Sequence, residues 1–120
     1  MVVYTQVNSP CLKLKKFDVF YVENDECEKK LKKLAEVKWS NDEGWVRLYE
    51  IDNYYIVTND DTYDEVVISI ASTAKEAVEE AKFHFVKLAK MYYRDDQETA
   101  DEAVREIEDM FKSLMVECNV

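Results

Sequence analysis

Glycine and proline are almost missing from this chain: Gly44 and Pro10 stand alone among 120 residues. Phosphate-cradling loops need several glycines, because the backbone must approach the ligand and adopt positive φ. One glycine builds neither a P-loop nor a dinucleotide-binding turn, so nucleotide enzymes of the common kinds are excluded. Histidine is limited to His84. The residues three and four positions on, Lys87 and Leu88, are not ligands, so a lone imidazole specifies neither a metal site nor a catalytic pair. Cysteine is sparse and scattered at Cys11, Cys27 and Cys118. An odd number with no close spacing argues against a disulfide framework and a zinc site, and predicts three free thiols in a reducing cytoplasm. No apolar run approaches the length of a membrane span. The opening Met1-Val2-Val3-Tyr4-Thr5 lacks the basic and apolar regions of a secretory signal.

What remains is enough to fold. Apolar residues make up 48% of the chain, above the disorder range at this charge content. The length suits one domain, expected over residues 1–120. The formal net charge is −10. That disfavours direct contact with nucleic acid or an anionic membrane and favours a basic protein partner through long-range attraction.

The patterning predicts an α+β fold with an antiparallel sheet of four or five strands, an early helix, and two long C-terminal helices packed on one face. Residues 2–7 alternate as a strand, and Asn8-Ser9-Pro10 is a turn. Cys11 to Lys15 and Phe17 to Val22 read as one long strand or two short ones. Asn24 or Asp25 caps a helix running to about residue 38, with Cys27, Leu31, Leu34 and Ala35 on its apolar stripe. Ser40 to Gly44 breaks it. Trp45–Ile51, a tight turn at Asp52-Asn53, Tyr54–Thr58 and Glu65–Ala71 then form a meander. The last of these strands is apolar on both faces, so it is either central or covered on both sides. Thr73 with Glu76 caps one long helix, whose inner stripe includes Ala81, Phe85, Leu88 and Tyr92. Asp95 with Glu98 caps the other, whose stripe is Ala100, Val104, Ile107, Phe111 and Leu114.

The acids are concentrated late. Residues 61–120 carry 15 acids against 7 bases, a balance of −8, whereas residues 1–60 carry 11 against 9, a balance of −2. Helical spacing puts Glu98, Asp101, Glu102, Glu106, Glu108 and Asp109 opposite the apolar stripe of the last helix. Like charges at i,i+4, such as Glu98/Glu102 and Glu102/Glu106, cost a few tenths of a kcal/mol each. Only the first-turn acids are compensated by the helix macrodipole. Such a face either is ordinary solvated surface or docks on a basic protein; the sharpest form of docking imitates nucleic-acid phosphates.

Other residues carry weaker signals. Phe83 and Val86 lie across the second helix from its core stripe, either sandwiched by another element or anchoring a second copy of the chain. Asp60, Asp61, Asp64 and Glu65 cluster as a divalent-ion site would, although turn chemistry alone favours those residues. Glu36-Val37-Lys38 has the acid-x-lysine spacing of many metal-dependent nucleases, at a predicted helix end. Lys13, Lys15, Lys16, Lys29, Lys30, Lys32 and Lys33 make the N-terminal half the more basic one.

Short, acidic, poor in glycine and without catalytic motifs, the chain resembles in style the small inhibitor proteins encoded by viruses of microbes, among them anti-CRISPR and other anti-defence proteins. The resemblance is compositional and transfers no residue roles. It implies a non-enzymatic, cytoplasmic inhibitor or adaptor without a cofactor, blocking a basic nucleic-acid-binding partner. The alternatives are a homo-oligomer assembled through Phe83 and Val86 or a sheet edge, and a divergent metal-dependent enzyme.

Overall fold

A computed structural model describes residues 11–15, 19–22, 25–39, 44–61 and 63–118. Its elements run β1 (Leu12–Lys15), β2 (Val19–Val22), α1 (Asp25–Lys30), β3 (Lys32–Lys38), β4 (Trp45–Ile51), β5 (Tyr54–Asp60), β6 (Glu65–Ala71), α2 (Ala74–Tyr92) and α3 (Gln97–Cys118). β1 and β2 pair as an antiparallel hairpin, and β3-β4-β5-β6 form an antiparallel sheet in sequence order. The α+β class, the early helix and the two long C-terminal helices are as the sequence predicts. The strand expected over residues 2–7, the turn at Asn8–Pro10 and the Asn24 cap lie outside the described residues.

The meander follows its period-2 pattern. Asp52 and Asn53 both take positive φ, 49° and 69°, the geometry that lets a two-residue turn match the twist of its strands. Gly44 enters β4 where a Cβ would lie 2.8 Å from the Asp60 carbonyl oxygen and 3.0 Å from the Trp39 ring. No larger residue fits that approach without moving backbone.

One sheet face meets the helices. Val46, Leu48, Val57 and Ala71 pack there with Ala77, Ala81, Ile107, Phe111 and Leu114. Ser69, on the same side, donates its buried hydroxyl to the Ala77 carbonyl at 2.6 Å, fixing α2 to β6. The opposite face carries a second core, with Ile51, Ile56, Val67 and Ile70 against Leu12, Cys11 and Cys27. β6 is therefore an edge strand of its sheet, apolar on both faces because both are covered.

Three expectations are corrected. Residues 32–38 are strand, not helix. Leu31, Leu34 and Ala35 satisfy helical spacing, but Ala35, Val37 and Trp39 also alternate, and tertiary packing of that alternation against α3 decides the outcome. The cap of α3 is Asp96 rather than Asp95: its carboxylate accepts from the Thr99 N–H at 3.1 Å and the Thr99 hydroxyl at 2.7 Å. Those bonds, side chain first and then backbone, hold the Asp96 carboxyl below the usual range.

Third, Cys11 and Cys27 are joined in a disulfide across 16 residues, their Cα atoms 5.3 Å apart. The scattered spacing concealed this pairing, because the β1–β2 hairpin returns the chain and α1 then carries Cys27 back to Cys11. Both sulfurs lie in the second core, at 2% and 6% residue exposure. A loop of this length restrains the unfolded chain by about 3 kcal/mol. Reduction is expected to lower the urea midpoint by that much stability while α2 and α3 keep their helical signal in native conditions. An unchanged midpoint after complete reduction contradicts it.

Candidate protein-binding surface

The two C-terminal helices owe their placement to their inner stripes, which leaves their outer sides to be read as surface. On α3, Glu98, Asp101, Glu102, Glu106, Glu108 and Asp109 are all exposed. The structure thus brings together the six acids singled out by helical spacing. The first and last are eleven residues apart, which is about 16 Å at 1.5 Å per residue. Arg105 is the one cation among them, also exposed. Asp101 accepts from the Gln97 side chain at 2.8 Å. Among the described residues, Glu98, Glu102, Glu108 and Asp109 form no ion pair within 4 Å.

The strip is not uniform. Glu108 and Asp109 border a groove between α2 and α3, shared with Lys75, Lys82 and Lys112 and floored by Val78, Phe111 and Met115. These lysines moderate the field at that end. Glu98 and Glu102 lie outside that groove.

The sheet face away from the helices holds a second concentration of charge that sequence reasoning missed. Arg47, on β4, donates from Nε to Glu36 on β3 at 2.9 Å and from Nη1 to Asp60 on β5 at 2.6 Å. The same Nη1 reaches Glu65 on β6 at 3.3 Å. Glu65 also accepts from the Tyr49 hydroxyl at 2.9 Å and the Thr58 hydroxyl at 2.7 Å, and Lys33 pairs with Glu36 at 3.1 Å. One guanidinium therefore ties all four strands. The hydrogen bond from Arg47, then that from Lys33, holds the Glu36 carboxyl below its ordinary value. Burial opposes the charge on Arg47, but its bonds to Asp60 and Glu36 more than offset this and raise its pKa. Burial, then the charge of Glu65, pushes the Tyr49 phenol upward.

This network engages residues of two sequence readings. Asp60 and Glu65 face one another across β5 and β6, but a guanidinium lies between them. Asp61 closes the turn by accepting from the N–H groups of Tyr63 and Asp64 at 3.0 and 2.9 Å. Glu36-Val37-Lys38 lies on a strand, with Glu36 committed to Arg47 and Lys38 placed 5.9 Å from the Trp45 ring centre. Among the described residues, no group of three or more His, Cys, Asp or Glu is arranged to hold a metal ion.

His84 sits edge-on to Phe85 at 5.4 Å; partial burial, then the charge of Lys87, lowers its pKa. Phe85 itself links Trp39, at 5.2 Å, to Phe111, at 5.8 Å, so this aromatic run is core. Phe83 is 70% exposed, so no described element covers it, whereas Val86 is half-buried and packs against the first core. Leu88 and Tyr92, expected on the core stripe, are exposed at 46% and 81%. A helix of 19 residues is about 28 Å long and a strand of seven about 23 Å, a difference of about one turn that accounts for Tyr92 but not for Leu88, whose neighbour Ala89 is buried. Lys29, Lys30, Lys32 and Lys33 are exposed on α1 and β3; Lys13, Lys15 and Lys16 have no described side chains.

No protein-family model, curated protein or solved structure matches this chain. No helix among the described residues is long and apolar enough to cross a membrane.

Proposed function

We propose that this chain is a non-enzymatic binding protein, an inhibitor or adaptor whose α3 carboxylates dock on a basic surface of another protein. The observation that carries the reading is the strip itself: six exposed acids along one helix, five of them without an ion pair among the described residues. The i,i+4 repulsions weaken α3 slightly, and only Glu98 is compensated by its place in the first turn. Counting Arg105 against the six acids leaves five negative charges over about 16 Å, or one per ~3 Å. One strand of duplex DNA carries one per ~3.4 Å of axis. That match supports the sharper form, in which the strip stands in for phosphates on a nucleic-acid-binding machine, in the manner of an anti-defence protein acting in a host cytoplasm. The Cys11–Cys27 disulfide is a bond of oxidising compartments and is rare in a reducing cytoplasm.

Salt tests the charge-led part. A host protein captured on the immobilised chain should elute between about 0.1 and 0.5 M salt, as the screening length falls from ~10 Å to below 5 Å. It should also be displaced by added duplex nucleic acid. Retention of the captured protein through both treatments contradicts the reading.

A further inference from the structure

The α2–α3 layer has an outer face, turned from the sheet, whose two halves differ in character. On α2, Phe83, Lys87 and Lys90 are exposed there, with Val86 half-buried beside them. Between Lys82 and Tyr92 that helix carries three lysines and no acid, in a chain of net charge −10. On α3, the corresponding outward positions are Glu98, Glu102, Arg105 and Asp109. The helices are antiparallel and in register: Lys82 of α2 and Glu108 of α3 border one groove. Equal rise along both then sets Lys87 level with Ala103 and Lys90 level with Ala100. The lysines of one helix thus stand at the height of Glu98 and Glu102 on the other, but beside them rather than facing them.

We propose that this face pairs with the same face of a second copy, about a two-fold axis parallel to the helices and over the seam between them. That operator keeps every residue at its own height and stacks α2 of each copy on α3 of the other. It places Lys87 and Lys90 opposite Glu98 and Glu102, and Glu79 opposite Lys112, twice over by symmetry. Phe83, with the part of Val86 that its packing on the core leaves open, supplies the apolar contact that charge alone lacks. An isologous contact of this kind closes at two copies and builds no filament. Helices of about 28 and 33 Å, packed ~9 Å apart, offer a footprint of roughly 600 Å² per copy. That is below the ~800 Å² per partner of a stable complex, so the dimer is weak and its electrostatic share large. The pairing deepens the reading of the α3 strip as a docking face: the second copy covers that strip until a more basic surface displaces it.

The test is sedimentation equilibrium from about 10 µM to 1 mM chain. The native chain should associate to dimers at low salt, at least tenfold more weakly near 0.5 M salt. Phe83→Ala should weaken the dimer at any salt. Lys87→Glu with Lys90→Glu makes the face predominantly acidic, and Glu98→Lys with Glu102→Lys makes it predominantly basic. Each double variant alone should be monomeric, and an equimolar mixture should form a heterodimer tighter than the native dimer. A native chain that stays monomeric at low salt overturns the proposal, as does a mixture that does not pair. The Lys87→Glu/Lys90→Glu chain keeps the α3 strip, so its capture of a basic protein reports on the proposed function independently of the dimer.

Discussion

Phe111→Ala is expected to cost about 3–5 kcal/mol, the range for removing a large aromatic from a filled core. Phe111 is 1% exposed and lies where α3 crosses the sheet. Its ring stacks obliquely on Phe85 and floors the groove with Val78 and Met115. Leu48 and Leu114, equally buried, hold it from the sheet and from the next helical turn, so the site has little room to collapse. For a chain of this length a loss of that size lowers the thermal midpoint by roughly 12–20 °C. Phe83→Ala serves as the control. Its side chain touches no core, and measured below the dimer concentration it should cost less than about 0.5 kcal/mol. A Phe111→Ala cost under 1 kcal/mol in urea unfolding would mean that α3 is not packed on this sheet.

Arg47→Met should cost about 2 kcal/mol, between the worth of an exposed ion pair and that of a buried one. The Arg47 side chain is 19% exposed and its three carboxylate partners are 23–34% exposed. Water can therefore reach the abandoned acids but not solvate them fully. The loss exceeds a surface pair because Glu36, Asp60 and Glu65 are left facing one another on adjacent strands. The pH dependence sharpens the prediction. Glu36 titrates below its ordinary value in the folded chain, so its contribution is complete above its unfolded pKa, near 4.5, and is lost as pH falls through the lower folded value. The native protein should lose stability over that acid window. Arg47→Met, without the bond that depresses Glu36, should lose less, so the two curves converge as pH falls. Parallel curves from pH 7 to pH 3 would deny Arg47 this role.

How much of this was legible from residues alone varied with the range of the contacts that decide it. Trp45 to Ala71 could be read directly, because alternation, β-branched residues and the Asp52-Asn53 turn are local signals that agree. The outer and inner faces of α3 were equally plain, since 22 residues give the helical period room to show. Residues 31–37 were not, because Leu31, Leu34 and Ala35 fit a helix while Ala35, Val37 and Trp39 fit a strand. What settles the matter is the α3 face lying over β3, far away in sequence. Misreading β3 concealed the Arg47 network as well. Glu36 meets Arg47 only through the β3–β4 register, and Asp60 and Glu65 join them only through the next two pairings. The alternation of Ala35, Val37 and Trp39, with Glu36 and Lys38 between them, was the available signal. The disulfide had none, because its closure depends on a hairpin whose length could not be fixed from residues 12–22.

The most direct measurement of the central claim is the affinity of the captured host protein for the native chain and for Glu102→Lys/Glu106→Lys/Asp109→Lys, with folding checked by thermal melting. The account predicts an unchanged fold and at least a hundredfold loss of affinity, about 2.7 kcal/mol, as three attractive contacts become repulsive. Equal affinity for the two chains would show that the α3 strip is solvated surface and that any partner binds elsewhere.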